Sequence, residues 1–235
     1  RPGAQSKEVL HEQLPKILIH EPELVAVIVG GNDLLRNGFS PAEFEVNLNE
    51  TLRQIEEMGA TAMLLELHDP TEIVPMPYLV ARVCRRRVDA VNRITRKMAM
   101  RYSALLLETR SLEEIYARNK WHVDRMHPSR HGHQFIADNF AHLLRMRGFE
   151  VDPVKFTFKN NRSRRDSIIW MLKNGTPWFL KRSVDLLPAI LFLSIGELIY
   201  MARHKNENTE STIYYPDFAA HADIHINRLQ NEKVS

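Results

Sequence analysis

The 235 residues carry 44% hydrophobic and 26% charged side chains. These are the proportions of a soluble globular protein, and they exclude wholesale disorder, collagen-like repeats and a polytopic membrane protein. Lys and Arg number 32 against 29 Asp and Glu, a net charge of +3, too small a surplus for a surface built to neutralise nucleic-acid phosphates. The length fits one domain with an extension, or two small domains. Cys84 is the one cysteine, so no intrachain disulfide forms and the fold rests on its core; a single thiol is compatible with a reducing compartment without requiring one. The chain opens on Arg1 rather than Met, which leads to the expectation of further sequence upstream.

In chain order, the first apolar run is Leu24–Val29. It is rich in Val and Ile and lacks polar alternation, so it is expected to be a strand buried on both faces. Ser40-Pro41-Ala42-Glu43 then combines an N-cap serine, a proline at the first helical position and a capping-box glutamate. The helix it opens keeps Phe44, Leu48, Leu52 and Ile55 on one face and stops at Gly59. Ala62–Leu67 is a second strand. Val80–Arg101 is a second amphipathic helix, with Val83, Cys84, Val91, Ile94 and Met98 inward and Arg85, Arg86 and Arg87 on an expected solvated face. Ala104–Leu107 is a third strand. A last helix runs from Arg130 to Arg147, capped by Ser129 and stopped by Gly148. Strands alternating with helices imply a parallel sheet with right-handed crossovers.

The composition changes after Gly148. Residues 149–165 are polar and basic, with Lys159, Arg162, Arg164 and Arg165 close together, and are expected to form a linker. Residues 166–205 are expected to be a helical extension and 206–235 a polar tail. Within the extension, Leu186–Ala202 is apolar nearly all round. Its length sits at the short limit for a bilayer span, and Pro188, Gly196 and Glu197 weaken that reading. A helix docked on the domain or on a second copy is the favoured expectation, ahead of membrane contact.

Three segments carry chemistry. Gly30-Gly31-Asn32-Asp33 directly follows a strand, and in an open parallel sheet ligands bind outside the carboxyl ends of strands. The turn can aim an amide into that crevice, or it can be a plain strand-to-loop turn. Asp124-Arg125-Met126-His127-Pro128-Ser129 places an Asp and a His three apart outside regular structure. Such a pair can bond carboxylate to imidazole Nδ1 and leave Nε2 as a general base; the bland alternative is a polar loop. Gly3 precedes a polar stretch at the start of the chain and by itself says little. His122, His127, His131 and His133 crowd around Asp124, which raises a metal site, but no HExxH spacing is present. His131 is expected to be an exposed first-turn residue and His133 a packed residue or one that supports the site from behind. The basic runs lack interleaved aromatics, which argues against a nucleic-acid partner.

Together and in this order, the segments resemble the GDSL/SGNH hydrolase family of lipases and esterases. Gly30-Gly31-Asn32-Asp33 is similar to that family's GxND turn, Asp124 to Pro128 with its continuation to His133 is similar to its DxxHP loop, and Arg1-Pro2-Gly3-Ala4 to its glycine element. The resemblance implies a three-layer, flavodoxin-like parallel sheet over residues 1–148, with the family's first two strands ahead of residue 1. It implies ester hydrolysis through a Ser-His-Asp triad. His127 is then the base, Asp124 its orienting partner, and Gly3 and Asn32 oxyanion-hole donors. The substrate is a small-molecule, lipid or carbohydrate ester, and no cofactor or metal is required. The sequence departs from the family in one respect: no GDS element occurs, so none of Ser6, Ser40, Ser103, Ser111 and Ser129 is the expected nucleophile. The resemblance therefore leaves two expectations, an esterase whose serine lies outside this chain, or a non-catalytic module with a partner- or membrane-facing C-terminal helix.

Overall fold

The computed structural model describes residues 3–36, 38–122, 124–152 and 195. Three parallel strands, β1 (Leu24–Val27), β2 (Thr61–Leu65) and β3 (Leu105–Leu107), lie in the order β1-β2-β3. Leu24 pairs with Thr61, and Leu65 pairs with Leu107. Parallel neighbours cannot be joined by a tight turn and need a crossover. A four-residue helix α3 (Gly31–Leu34) and then α4 (Pro41–Glu57) connect β1 to β2, and α5 (Tyr78–Arg101) connects β2 to β3.

The crossover helices form because their ends and faces are specified locally. Ser40 Oγ accepts the Glu43 N–H at 3.2 Å and Pro41 occupies the first turn, where its missing donor costs nothing. Gly59 ends the segment at φ +82°, a conformation that favours glycine. Phe44, Leu48, Leu52 and Ile55 are each 1% exposed. They meet Val88, Val91 and Met98 of α5 and Val25, Val27, Ala62 and Leu64 of the sheet in one core. Truncating any of the four on α4 to Ala would forfeit about 2–5 kcal/mol.

Ahead of the sheet, α1 (Ser6–Glu8) runs through a π-helical turn (Val9–Gln13) into α2 (Leu14–Leu18). The wide turn ends next to Pro15, whose ring nitrogen cannot donate to the preceding ladder. Leu10 and Leu14 join the core. After β3 come three short 3₁₀ turns, then α6 (Arg130–Met146). Ser129 Oγ accepts the Gly132 N–H at 3.2 Å at its start, Gly148 lies just beyond its end at φ +89°, and α6 packs against β3.

Two expectations need correction. β1 is not buried on both faces: Ala26 is exposed and Ile28 is 60% exposed. Ala26 and Ile28, two apart, share the face that the described elements leave uncovered, while Val25 and Val27 face the core; β1 is also an edge strand, with β2 as its one strand neighbour among the described residues. The arginine run is a solvated face only in part: Arg85 is exposed, whereas Arg86 and Arg87 are half-buried. Arg85 pairs with Asp69 at 3.0 Å and Glu72 at 3.2 Å. Arg87 Nη1 donates to the Leu34 and Arg36 carbonyls at 2.6 and 3.2 Å, while its guanidinium lies 5.5 Å from the Phe39 ring centre. Helical periodicity alone does not reveal that loops fold back over a helix.

The helical extension expected over 166–205 and the tail over 206–235 lie outside the described residues apart from Ile195, as does all but the start of the 149–165 linker. Among the described residues, no helix is long and apolar enough to cross a membrane.

Candidate active site

The loop after β1 is shaped by one glycine. Gly30 has φ +104°, and a Cβ there would stand 2.5 Å from Val91 Cγ1 and 3.3 Å from Phe44 Cζ. Both conformation and space therefore demand glycine. The chain then turns into α3, with Asn32 exposed in its first turn. Asn32 Nδ2 donates to the Ala4 carbonyl at 2.9 Å. Asp33 points inward, 5% exposed, and its Oδ1 accepts from Ser6 N at 2.9 Å and Ser6 Oγ at 2.6 Å. Asn47 Nδ2 donates to the same hydroxyl at 3.2 Å. Two neighbouring side chains thus stitch the segment after Gly3, itself at φ +79°, onto the loop that carries Asn32. Arg87 donates to the Leu34 and Arg36 carbonyls at the far end of α3.

Sequence reasoning gave Gly3 and Asn32 a role in the site; it gave Asp33, Ser6 and Arg87 no supporting role and did not name Asn47. One signal was present. Asn47 stands three residues after Phe44 and one before Leu48, a polar residue at core spacing, and buried polar groups require partners.

The loop after β2 is held from α5. Asn92 is fully buried; its Oδ1 accepts the Leu67 N–H at 2.8 Å and its Nδ2 donates to the Leu67 carbonyl at 2.7 Å. Glu66, 1% exposed, pairs with Arg96. Burial raises the Glu66 pKa against the opposing pull of Arg96. His68 lies against Trp121 with ring centres 4.0 Å apart, tilted by 42°. Burial pushes the His68 imidazole down to about 4, despite the opposite effect of neighbouring Asp69. The ring is therefore neutral near pH 7.

Trp121 begins the segment that carries the Asp–His pair. It forms an antiparallel bridge with Pro128 and donates Nε1–H to the Ile115 carbonyl at 2.5 Å. His122 N donates to the His127 carbonyl at 2.8 Å, and Ser129 N to the Lys120 carbonyl at 2.7 Å. Inside this closed loop Asp124 Oδ1 accepts the N–H groups of Met126 and His127 at 2.9 and 3.0 Å. Its Oδ2 lies 3.0 Å from His127 Nδ1 and 3.4 Å from His122 Nδ1. Burial alone would raise the Asp124 pKa, but the hydrogen bonds from the Met126 amide and from the His127 ring and amide outweigh it and hold the carboxyl below its ordinary value. An ionised carboxylate only accepts, so His127 Nδ1 carries the proton and Nε2 presents a lone pair. The His127 side chain is 72% exposed, so that lone pair is open to a reacting group.

The two elements lie at one end of the sheet. β1 leads out into Gly30–Asn32 and β3 leads towards Asp124–His127, both from carboxyl ends. Contacts bridge them: a Cβ at Gly31 would stand 3.8 Å from Leu67 Cδ2, and His68, next to Leu67, stacks on Trp121. The other histidines reverse their expected roles. His131 is half-buried and His133 exposed. Among the described residues no group of three His, Cys, Asp or Glu side chains is placed to hold a metal ion. Ser6, Ser40 and Ser129 have the bonds given above, and Ser129 also donates to the Asn119 carbonyl at 2.5 Å. Among the described residues no serine is hydrogen-bonded to His127. A cavity of about 400 Å³ between α1 and the start of α4 is lined by Ser6, Asp33, Arg36, Phe39 and Ser40. Neither Asp124 nor His127 reaches it.

The parallel three-stranded sheet with its crossover helices has the α/β fold of SGNH hydrolases. A sequence model of the GDSL-like lipase/acylhydrolase family matches residues 1–135, and the chain belongs to that family. Among solved structures, TesA is similar at 25% identity and a TM-score of 0.50, over 61% of this chain and 74% of that one. An alpha/beta hydrolase enzyme from the metagenome of Lake Arreo, Spain, is similar at 22% identity and a TM-score of 0.50, over 60% of this chain and 68% of that one. A catalytic mutant of an acetylxylan esterase from Geobacillus stearothermophilus is similar at 20% identity and a TM-score of 0.50, over 63% of this chain and 69% of that one. The last two show the shared fold. A comparison with curated proteins finds no match.

Proposed function

We propose that residues 1–148 form the base-and-oxyanion part of a serine esterase, acting on small-molecule, lipid or carbohydrate esters. The observation that carries this reading is the 3.0 Å bond between Asp124 Oδ2 and His127 Nδ1, made beside an exposed Nε2 at the sheet end that also carries Asn32. His127 takes the proton of a serine hydroxyl as its oxygen attacks the ester carbonyl carbon. The tetrahedral oxyanion is held by the Gly3 N–H and the Asn32 amide, which keeps one N–H for this purpose while the other bonds Ala4. His127 then gives the proton to the departing alcohol, and the acyl-serine is released by water that His127 activates. Asp124 stays ionised, fixes the ring and stabilises the imidazolium.

In this reading the nucleophile is supplied by a segment outside these 235 residues. The edge of β1 that no described strand pairs is where a further parallel strand carrying it would add.

The test joins a GDS-type strand and helix from a family relative ahead of Arg1 and measures turnover of a short-chain nitrophenyl ester. His127→Ala should cost on the order of 10³-fold or more in kcat. Asn32→Ala should cost about 10²–10³-fold. Turnover that survives His127→Ala would overturn the assignment.

A further inference from the structure

Arg125 stands out within the Asp–His loop. It has φ +55°, in the left-handed region that favours glycine. It is one of three non-glycine residues with positive φ among those described, and the one that lies between Asp124 and His127. The reversal there brings the Met126 and His127 amides onto Asp124 Oδ1. A long side chain at such a position adds strain unless it makes a compensating contact. Arg125 makes one: its Nη1 donates to the Ile73 carbonyl at 3.0 Å.

That acceptor belongs to a segment with its own fastenings. Asp69 Oδ1 accepts the Thr71 N–H at 2.9 Å and the Thr71 hydroxyl at 2.7 Å, closing the turn before Ile73. Val74 N donates to the Pro70 carbonyl at 2.8 Å. Arg85 grips Asp69 and Glu72 from α5. The Ile73 carbonyl is therefore fixed relative to the crossover helix and the core beneath it. The backbone bonds of the Asp–His loop given above, with those of Trp121 and Ser129, run to residues between Ile115 and His133, near it in sequence. The Arg125 guanidinium bonds to the loop after β2, 52 residues earlier.

We infer that Arg125 is a positioning residue. Its guanidinium ties the Asp124–His127 loop to the loop after β2, so that the left-handed turn, and with it the His127 ring, holds one orientation over the sheet. The inference rests on the proposed role of His127, and its first readout needs no catalysis.

In the 235-residue chain, hydrogen exchange of the Met126 and His127 amides reports whether their bonds to Asp124 persist. Arg125→Ala should speed both by about tenfold, the order expected when one hydrogen bond to a charged group is lost. Arg125→Lys, which still donates to the Ile73 carbonyl, should restore most of the protection. Arg125→Gly removes the strain along with the tether and should also exchange faster than the parent. Amides of Leu64 and Met98 should be unchanged throughout, which excludes general unfolding. Parent-like protection in either Arg125→Ala or Arg125→Gly would show that the backbone holds the loop unaided and would overturn the inference. In the chain extended by a GDS segment, Arg125→Ala should lower kcat by about tenfold with KM unchanged. An unchanged kcat would limit Arg125 to loop structure and overturn its catalytic positioning role. If the extended parent itself hydrolyses no ester, the proposed function fails, and the exchange result still decides whether Arg125 fixes the loop.

Discussion

The loop after β1 is anchored in the core, although Asn32 itself is exposed. Asp33 is 5% exposed and bonded to Ser6, which Asn47 holds from α4, while Gly30 lies against Val91 and Phe44. The loop that carries His127 lies at the surface and is closed mainly by hydrogen bonds among its own residues, with the His127 side chain 72% exposed. The first arrangement couples the proposed oxyanion donor to folding: whatever disturbs Asn32's support disturbs the core. The second leaves the proposed base almost independent of folding. Substitutions in the two loops should therefore fail in different ways, one through stability and the other through chemistry.

The largest effect on stability should come from Gly30→Ala. The left-handed φ costs about 1–3 kcal/mol for a residue with a Cβ, and the contact with Val91 adds overpacking of about 1–3 kcal/mol. Urea denaturation should show a loss of about 3 kcal/mol or more, with the midpoint falling at nearly constant slope. Asp33→Ala should follow at about 2–3 kcal/mol, because the buried Ser6 amide and hydroxyl lose their acceptor. A loss below about 0.5 kcal/mol for either would break the contrast.

The contact between the loops predicts a pH effect of similar size. His68 titrates at about 4 in the fold and at about 6.5 when unfolded, so only the unfolded chain takes up a proton as pH falls between those values. Its contribution is complete above pH 6.5 and is lost progressively towards pH 4. From this group alone the chain should be about 2 kcal/mol less stable at pH 5 than at pH 7. His68→Gln should flatten that slope, and an unchanged slope would place the proton elsewhere. Asp124 has the same sign for the opposite reason. Its depressed pKa adds stability above the ordinary carboxylate range, and this is lost as pH falls through the folded value.

The smallest effect on stability should be that of His127→Ala, within about 0.5 kcal/mol, alongside the largest loss of turnover. Thermal melts of parent and variant should superimpose. A drop of several degrees would show that the exposed loop is structural after all.

This division also explains what was legible in the sequence. The three strands, α4, α5 and α6 declare themselves through apolar runs, the Ser40 and Ser129 caps and the glycine stops, all of which act within a few residues. Asp124 and His127 were legible for the same reason, since their bond spans three positions. What supports Asn32 was not. Asp33 to Ser6 spans 27 residues and Arg87 to Leu34 spans 53, and no local period encodes such contacts. The half-burial of Arg87 was not legible because a helical wheel shows which face is polar but not what folds over it. The exposed side of β1 was hidden likewise: an apolar run reads the same whether one face of the sheet is covered or both.

The central claim is that His127 activates a serine outside these 235 residues. Covalent labelling by a serine-directed phosphonate, followed by mass spectrometry, tests it most directly in the chain joined to a GDS-type segment. The account predicts one adduct per chain, mapped to the serine of the added segment, forming at least about 100-fold more slowly in His127→Ala. An adduct on Ser6, Ser40, Ser129 or any other serine of the 235 residues, or labelling at the parent rate in His127→Ala, would contradict it.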